Sequence, residues 1–258
     1  MTARDALDAA VDALTAAGCD TPRLDAELLI ADALGVDRAA LVMDPSLPVS
    51  GAAARLIGER VRRRVAREPV AYILGRKGFR RISVYVDGRV LIPRPETELL
   101  VEVAAGLPDG SRVHDVGTGS GAVALALIDE RPDLFVSASD ASSAAVEVAR
   151  LNGLDAISFS GLPPGDYDLV VANLPYVRED EWPGLVPEIR LFEPREALVS
   201  GEDGLDAIRS LVAGAPPGTR LALEHAPDQA AKVRALLSAA ETLPDLAGRP
   251  RVTLGTAP

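Results

Sequence analysis

Asp115-Val116-Gly117-Thr118-Gly119-Ser120-Gly121 is the stretch that decides the fold. Residues 112–116 read as a short buried strand, and the glycine loop that ends it opens a helical pattern at 122–130. Glycines permit a tight turn and let the backbone approach a ligand closely. A loop so placed lies at the C-terminal end of its strand, where open α/β sheets bind ligands. The next strand pattern, 135–139, ends at Asp140, whose carboxylate can accept both hydroxyls of a ribose. Two cofactors fit this plan. Gly117, Gly119 and Ala122 satisfy the G-x-G-x-x-A form of the nicotinamide fingerprint. Asp115 favours S-adenosylmethionine instead, because an acid just before the glycines holds a positively charged amino group and repels a pyrophosphate. The cofactor candidates are Asp115, Gly117, Thr118, Gly119, Ser120, Gly121 and Asp140, with simple capping as the alternative for the two acids.

Downstream, 167–172 reads as a buried strand that runs into Asn173-Leu174-Pro175-Tyr176. An amide or exocyclic amine is a poor nucleophile, because its lone pair is delocalised. It needs acceptors for its N–H groups that orient it for in-line attack on a sulfonium methyl. The Asn173 side-chain oxygen and the Leu174 carbonyl are candidate acceptors, and Tyr176 can stack on a flat amide or base. Asn173, Leu174, Pro175 and Tyr176 are therefore the catalytic and substrate candidates, with a plain strand-ending turn as the alternative.

Outward from these motifs, strand and helix signals alternate. Strands are expected at 220–224 and 251–254, and helices at 96–105, 144–151, 205–212 and 229–239. Such alternation predicts an α/β fold with a mostly parallel sheet and helices on both faces. Residues 1 to about 70 are different, with four helical patterns. Thr21 and Ser50 are candidate caps, Leu24, Leu28 and Ala31 a buried stripe, and Leu56, Ile57, Val61 and Val65 a second one. Arg60, Arg62, Arg63, Arg64 and Arg67 are expected mostly on the other faces of that fourth helix. Ile82, Val84 and Val86 alternate with polar neighbours, and Asp87-Gly88 precedes Val90-Leu91-Ile92, which predicts a hairpin turning at 87–88. The expected organisation is a helical domain at 1–71, a β-hairpin linker at 72–92 and a catalytic domain at 93–258.

Composition narrows the function. Aromatic residues are 3% of the chain, so the core must come from Leu, Val, Ile and Ala. The longest apolar run, 122–128, is far too short to span a bilayer, and Arg4, Asp5 and Asp8 point away from a secretory signal. The single Cys19 fits a reducing cytoplasm and offers neither an intrachain disulfide nor a zinc cluster, and no metal site is expected. The net charge of -11 argues against stable nucleic-acid binding. Residues 55–94, however, hold twelve Lys or Arg against three Asp or Glu, either a solvated arginine face or a patch that steers an acidic partner.

Several segments resemble the HemK/PrmC family of protein-(glutamine-N5) methyltransferases. They are Pro69-Val70-Ala71-Tyr72-Ile73-Leu74-Gly75, Leu91-Ile92-Pro93-Arg94-Pro95-Glu96-Thr97-Glu98, Glu193-Pro194-Arg195-Glu196-Ala197-Leu198, Gly201-Glu202-Asp203-Gly204-Leu205 and Asp245-Leu246-Ala247-Gly248-Arg249. The resemblance runs from the helical region nearly to the C-terminus. It implies a Rossmann-like class I S-adenosylmethionine methyltransferase domain behind a small helical domain. It also implies a monomeric cytoplasmic enzyme that methylates the glutamine of the Gly-Gly-Gln motif in class-I peptide chain release factors. Cofactor contacts are implied at 117–121, Asp140 and Asn173, and substrate contacts at 173–176 and at Arg94. Three departures stand out. Leu174 replaces the first proline of the usual Asn-Pro-Pro-Tyr, 152–167 is short, and Glu224-His225 stands where Glu-Ile-Gly is usual. In the shortened stretch Phe159 is a candidate to cover part of an adenine, and His225 reads as a packed surface residue. Trp182 is open to a substrate-channel or a structural role. Two competing readings remain: an adenine N-methyltransferase of DNA or RNA, which shares the amine-orienting tetrapeptide, and a relative with a drifted substrate or lost activity.

Overall fold

The computed structural model describes all 258 residues, in two compact units: Met1–Gly75 with Val186–Phe192, and Arg76–Leu185 with Glu193–Pro258. In the first unit lie α1 (Ala3–Ala16), α2 (Pro22–Leu34), α3 (Arg38–Met43), α4 (Gly51–Val65) and α5 (Val70–Leu74), joined by the helix Pro187–Phe192. Thr2 and Asp5 form a capping box on α1, and Ser50 accepts the Ala53 N–H at the start of α4. Thr21 does precede α2, but its hydroxyl donates to Asp25 Oδ1 rather than capping the helix.

Two expected stripes are rotated. In α2 the buried residues are Asp25, Ala26, Glu27, Leu29, Ile30 and Ala31, while Leu24 is exposed. The helix packs against α1, α3, α4 and α5, so more than one of its faces is covered. In α4, Ile57 is buried as expected, Leu56 and Val65 are exposed, and Arg64 is buried. Arg64 turns inward because two acids meet it there: Nε lies 2.7 Å from Asp25 Oδ2 and Nη2 2.8 Å from Glu188 Oε1. Arg67 closes on the other oxygen of Glu188 at 2.7 Å.

The second unit opens with a hairpin of β1 (Arg76–Phe79) and β2 (Ile82–Tyr85), followed by a 3-10 turn at Pro95–Thr97 and α6 (Glu98–Ala105). Then come β3 (Arg112–Val116), α7 (Ala122–Glu130), β4 (Phe135–Asp140), α8 (Ser143–Leu151), β5 (Ile157–Ser158) and β6 (Leu169–Ala172). Beyond α9, the Pro187–Phe192 helix of the first unit, follow α10 (Asp206–Gly214), β7 (Arg220–Glu224), α11 (Ala230–Ala235), β8 (Ser238–Pro244) and β9 (Pro250–Thr256). The seven-stranded sheet has the order β5-β4-β3-β6-β7-β9-β8. Strands β3 to β7 run parallel, and β9 is antiparallel to both of its neighbours. Both faces of the parallel strands are covered, so β6 is buried at every residue and β3 and β7 at all but the first. Ile208, Leu211 and Val212 of α10 join Val116, Val170 and Leu221 in one core cluster. Ala124 of α7 joins Ala138, Val146 and Ala149 in another.

The hairpin is not where the alternation placed it. It turns at Arg80-Arg81, and residues 90–92 form no strand. Asp87 instead accepts the Arg89 N–H, the Arg89 guanidinium and the Tyr85 hydroxyl, which fixes a loop. The Ile92 N–H goes to the Glu193 carboxylate rather than to a strand partner. The helix expected at 229–239 stops at Ala235, and the chain becomes β8, paired with β9 at Glu241–Leu254, Thr242–Thr253 and Leu243–Val252. Here the sheet ladder overrides helix propensity.

The Arg64 cluster is a stability determinant, since removing one member strands buried charge. Arg64→Ala is expected to cost about 3 kcal/mol in urea unfolding; a loss below about 1 kcal/mol would show that the helical unit does not depend on the cluster.

Candidate functional site

Strand β3 has β4 on one side and β6 on the other, so the chain leaves the sheet in opposite directions around it. This is the switch point at which open α/β sheets form a crevice. It brings together the glycine loop after β3, Asp140 at the end of β4 and Asn173 after β6. They line a cavity of about 600 Å³. Its wall includes Asp115, Gly117, Thr118, Gly119 and Ser120 from the first strand, Asp140 from the second, and Asn173, Leu174 and Pro175 from the third. Three candidates stand outside this lining. Gly121 caps α7 and packs on Leu154, Tyr176 reaches Glu224, and Arg94 pairs with Glu193.

The two acids are set differently. Asp115 is buried at 2% exposure, and Oδ2 accepts the Thr118 hydroxyl at 2.6 Å. Burial first, then the charge of Asp140, raises its pKa to about 7, against the opposing pull of the Thr118 bond. Asp140 accepts the Gly119 N–H at 2.9 Å and the Ser142 N–H at 2.8 Å, and burial also pushes its pKa up. The loop between them needs glycine at 117. Its φ is +72°, and a Cβ there would stand 2.9 Å from Leu174 Cδ2. Leu174, which replaces the usual proline, therefore packs directly on the cofactor loop.

Asn173 is held by a residue the sequence did not single out. Its Nδ2 donates to Thr97 Oγ1 at 2.9 Å, which leaves Oδ1 for the cavity. Thr97 lies in the Pro-Arg-Pro-Glu-Thr segment, close to the fully buried carboxylate of Glu224. Glu224 Oε1 also accepts the Tyr176 hydroxyl at 3.2 Å, while Oε2 has no well-aligned partner. Burial raises the Glu224 pKa to about 7, opposed by these bonds and by Arg251. The chain beyond Tyr176 is braced as well. Gln229 Nε2 donates to the Tyr176 carbonyl at 2.8 Å, and a Cβ on Gly204 would run into that carbonyl. Phe159, unplaced from sequence, lines the cavity beside Asp140, with its N–H bonded to the Asp140 carbonyl. Nothing local in the sequence marked Glu224. For Thr97 there was only the motif that contains it.

Other expectations change. His225 is buried rather than on the surface, with Nε2 2.8 Å from Thr253 Oγ1. Trp182 carries the Arg195 guanidinium over its ring at 5.7 Å. The basic segment 55–94 is largely consumed by ion pairs: Arg60 with Asp32, Arg63 with Glu68, Arg64 and Arg67 with Glu188, Arg80 with Glu130, Arg89 with Asp87, and Arg94 with Glu193. No helix is long and apolar enough to cross a membrane.

With this geometry in view, comparison with known proteins is informative. Residues 5–75 match the PrmC N-terminal domain, and residues 94–189 match the methyltransferase small domain. The chain is 44% identical over 258 residues to a release factor glutamine methyltransferase of Xylella fastidiosa (strain Temecula1 / ATCC 700964), covering 92% of this chain and 94% of that protein. A release factor glutamine methyltransferase of Caulobacter vibrioides is 41% identical over 281 residues, covering 99% and 96% of the two chains. That of Cereibacter sphaeroides is 40% identical over 279 residues, covering 100% and 99%. At such identity over nearly the whole of both chains, this chain belongs to the release factor glutamine methyltransferase family.

Proposed function

We propose that the chain transfers a methyl group from S-adenosylmethionine to the side-chain nitrogen of the glutamine in the Gly-Gly-Gln motif of class-I peptide chain release factors. The observation that carries this reading is the Asn173 amide. It stands at the mouth of the glycine-loop crevice with its nitrogen end engaged by Thr97 and its oxygen left for an incoming N–H. The residues present fit the methyl donor. Asp115 is a buried acid that gains from a cationic neighbour, and it lines one cavity with the glycine loop and Asp140. Asp115 would hold the amino group of the methionine moiety, Asp140 the ribose hydroxyls, and Phe159 one side of the adenine.

When bound, S-adenosylmethionine supplies a methyl group already activated on a sulfonium. Asn173 Oδ1 and the Leu174 carbonyl accept the two N–H groups of the glutamine amide and hold its nitrogen in line with that methyl. Pro175 stiffens the loop in place of the missing first proline. Tyr176, which stands outside the cavity lining, anchors the end of this loop through its hydroxyl on Glu224 and its carbonyl on Gln229. Arg94 braces the Pro93–Thr97 corner through Glu193. The nitrogen–methyl bond would form as the sulfur–methyl bond breaks, with the sulfonium leaving as a neutral thioether and one amide proton passing to solvent, so the transfer rests on alignment and exclusion of water from the reacting atoms rather than on a strong base. A nucleic-acid substrate finds little support, because the basic segment that kept it open is largely bonded internally.

Asn173→Ala is expected to lower methyl transfer to release factor by at least about a hundredfold while leaving thermal unfolding unchanged. A variant at the wild-type rate would refute the role given to Asn173. The pH dependence of cofactor binding is a second check. Without ligand, the Asp115 pKa is raised to about 7, so its contribution to stability is fully present below its unfolded value near 3.8 and is lost as pH rises through 7. A bound cation pulls that pKa down. Affinity for S-adenosylmethionine should therefore weaken by up to about tenfold per pH unit below 7 and level off above it. Asp115→Asn should bind weakly at all pH values and show a flatter profile. Calorimetric titration from acid to neutral pH reads both, and a flat wild-type profile would contradict the assignment.

A further inference from the structure

The β3–β6 ladder ends at the pair Val116–Ala172. The glycine loop leaves one strand there, and the tetrapeptide leaves the other. On its β4 side the glycine loop is still held by polar bonds. The Gly117 and Thr118 N–H groups both donate to the Ser139 carbonyl, at 2.9 and 3.0 Å. On its β6 side the nearest neighbour is apolar. A Cβ on Gly117 would stand 2.9 Å from Leu174 Cδ2, and the Asn173 carbonyl would be farther away, at 3.8 Å. Leu174 Cδ2 thus occupies the space that a side chain at 117 would need, against the backbone of the loop. A gap of about an ångström already forfeits up to about half of a van der Waals contact, so this support depends on the reach of one methyl group. Leu174 is itself backed by the core, since it packs on the cluster that contains Val116, Val170 and Leu211. Gly117, Leu174 and Leu211 line the same cavity.

We infer that the Leu174 side chain is a positioning residue for S-adenosylmethionine: it seats the glycine loop, so that cofactor affinity depends on a residue of the substrate tetrapeptide. The carbonyl and the side chain of Leu174 then have separate tasks, one toward the acceptor amide and one toward the cofactor loop. The side-chain task holds whichever acceptor is methylated, so it goes beyond the reading of the substrate. Proline, the residue usual at this place, cannot perform it in this chain. Its ring closes back on its own nitrogen and has no branch that reaches Gly117. Pro175 already confines the residue before it to extended backbone, which a proline at 174 would also adopt. Leu174→Pro therefore keeps the loop stiff and removes the contact with Gly117. The rival role for Leu174 is filler of the core cluster, whose loss would be felt in stability rather than in cofactor binding.

The experiment is calorimetric titration of S-adenosylmethionine into variants of the full chain at neutral pH, with the melting temperature of each variant measured without ligand. Leu174→Ala and Leu174→Pro should each weaken binding by about tenfold. Leu174→Met, whose flexible side chain can again reach the loop, should recover most of that loss. Gly117→Ala should also bind weakly, through strain at φ +72° and through displacement of Leu174. In the Leu174→Ala background the displacement is gone, so the double variant should lose less than the product of the two single losses. Wild-type affinity in Leu174→Ala or in Leu174→Pro, a double variant whose losses multiply, or losses that follow melting temperature across the set would overturn the inference. The titration contains no methyl acceptor. A wild type that binds the cofactor with this dependence on residue 174, yet leaves release factor unlabelled, would sink the substrate reading and support this one.

Discussion

Asp115 is a carboxylate buried at the end of the central strand, and the rest of the site is arranged around it. Burial makes its charged form costly, and the Thr118 hydroxyl at 2.6 Å offsets only part of that cost. A chain that keeps such an acid gives up stability unless a cation compensates. The parallel order around β3 then fixes everything else in the crevice. Asp140 ends the strand on one side and Asn173 follows the strand on the other, so cofactor and substrate groups meet above one strand end. The loop glycines serve the same constraint, since Gly117 lets the backbone pass where Leu174 presses against it.

The second layer of the site is a set of fixed partners rather than mobile groups. Thr97 holds Asn173, Glu224 holds Tyr176, and Gln229 holds the carbonyl that follows. These partners come from segments that lie far from the tetrapeptide in sequence. Thr97 belongs to one of the motifs that carried the family resemblance, and Gly204 of another lies against the Tyr176 carbonyl, which gives those motifs a physical meaning. The Pro-Arg-Pro-Glu-Thr corner delivers a hydroxyl to the Asn173 amide. The Gly-Glu-Asp-Gly turn lets the tetrapeptide loop pass over it without collision.

Much of this was legible in the sequence. The buried strands β3, β6 and β7 and the glycine loop could be read because local apolar runs, turn residues and tertiary position all agree there. The failures occur where long-range partners decide. Val90 and Ile92 look like a strand, but Asp87 and Glu193 capture the backbone around them. The stretch after Ala235 is alanine-rich, yet β9 claims it as a strand. Arg64 reads as a surface charge, and Asp25 and Glu188 draw it inside. Thr97 and Glu224 were invisible for a similar reason, because nothing local marks a threonine or a strand-end glutamate as the partner of an asparagine seventy or more residues away in one case and a neighbouring strand in the other. The excess of arginine at 55–94 likewise left a solvated face and a steering patch both open until its ion-pair partners were known.

The central claim is that the crevice methylates one glutamine nitrogen. It is tested most directly by transfer of labelled methyl from S-adenosylmethionine to purified class-I release factor, beside a release-factor variant lacking the glutamine of its Gly-Gly-Gln motif. The account predicts label on the natural factor and none on the variant. Equal label on both, or none on the natural factor, would contradict it.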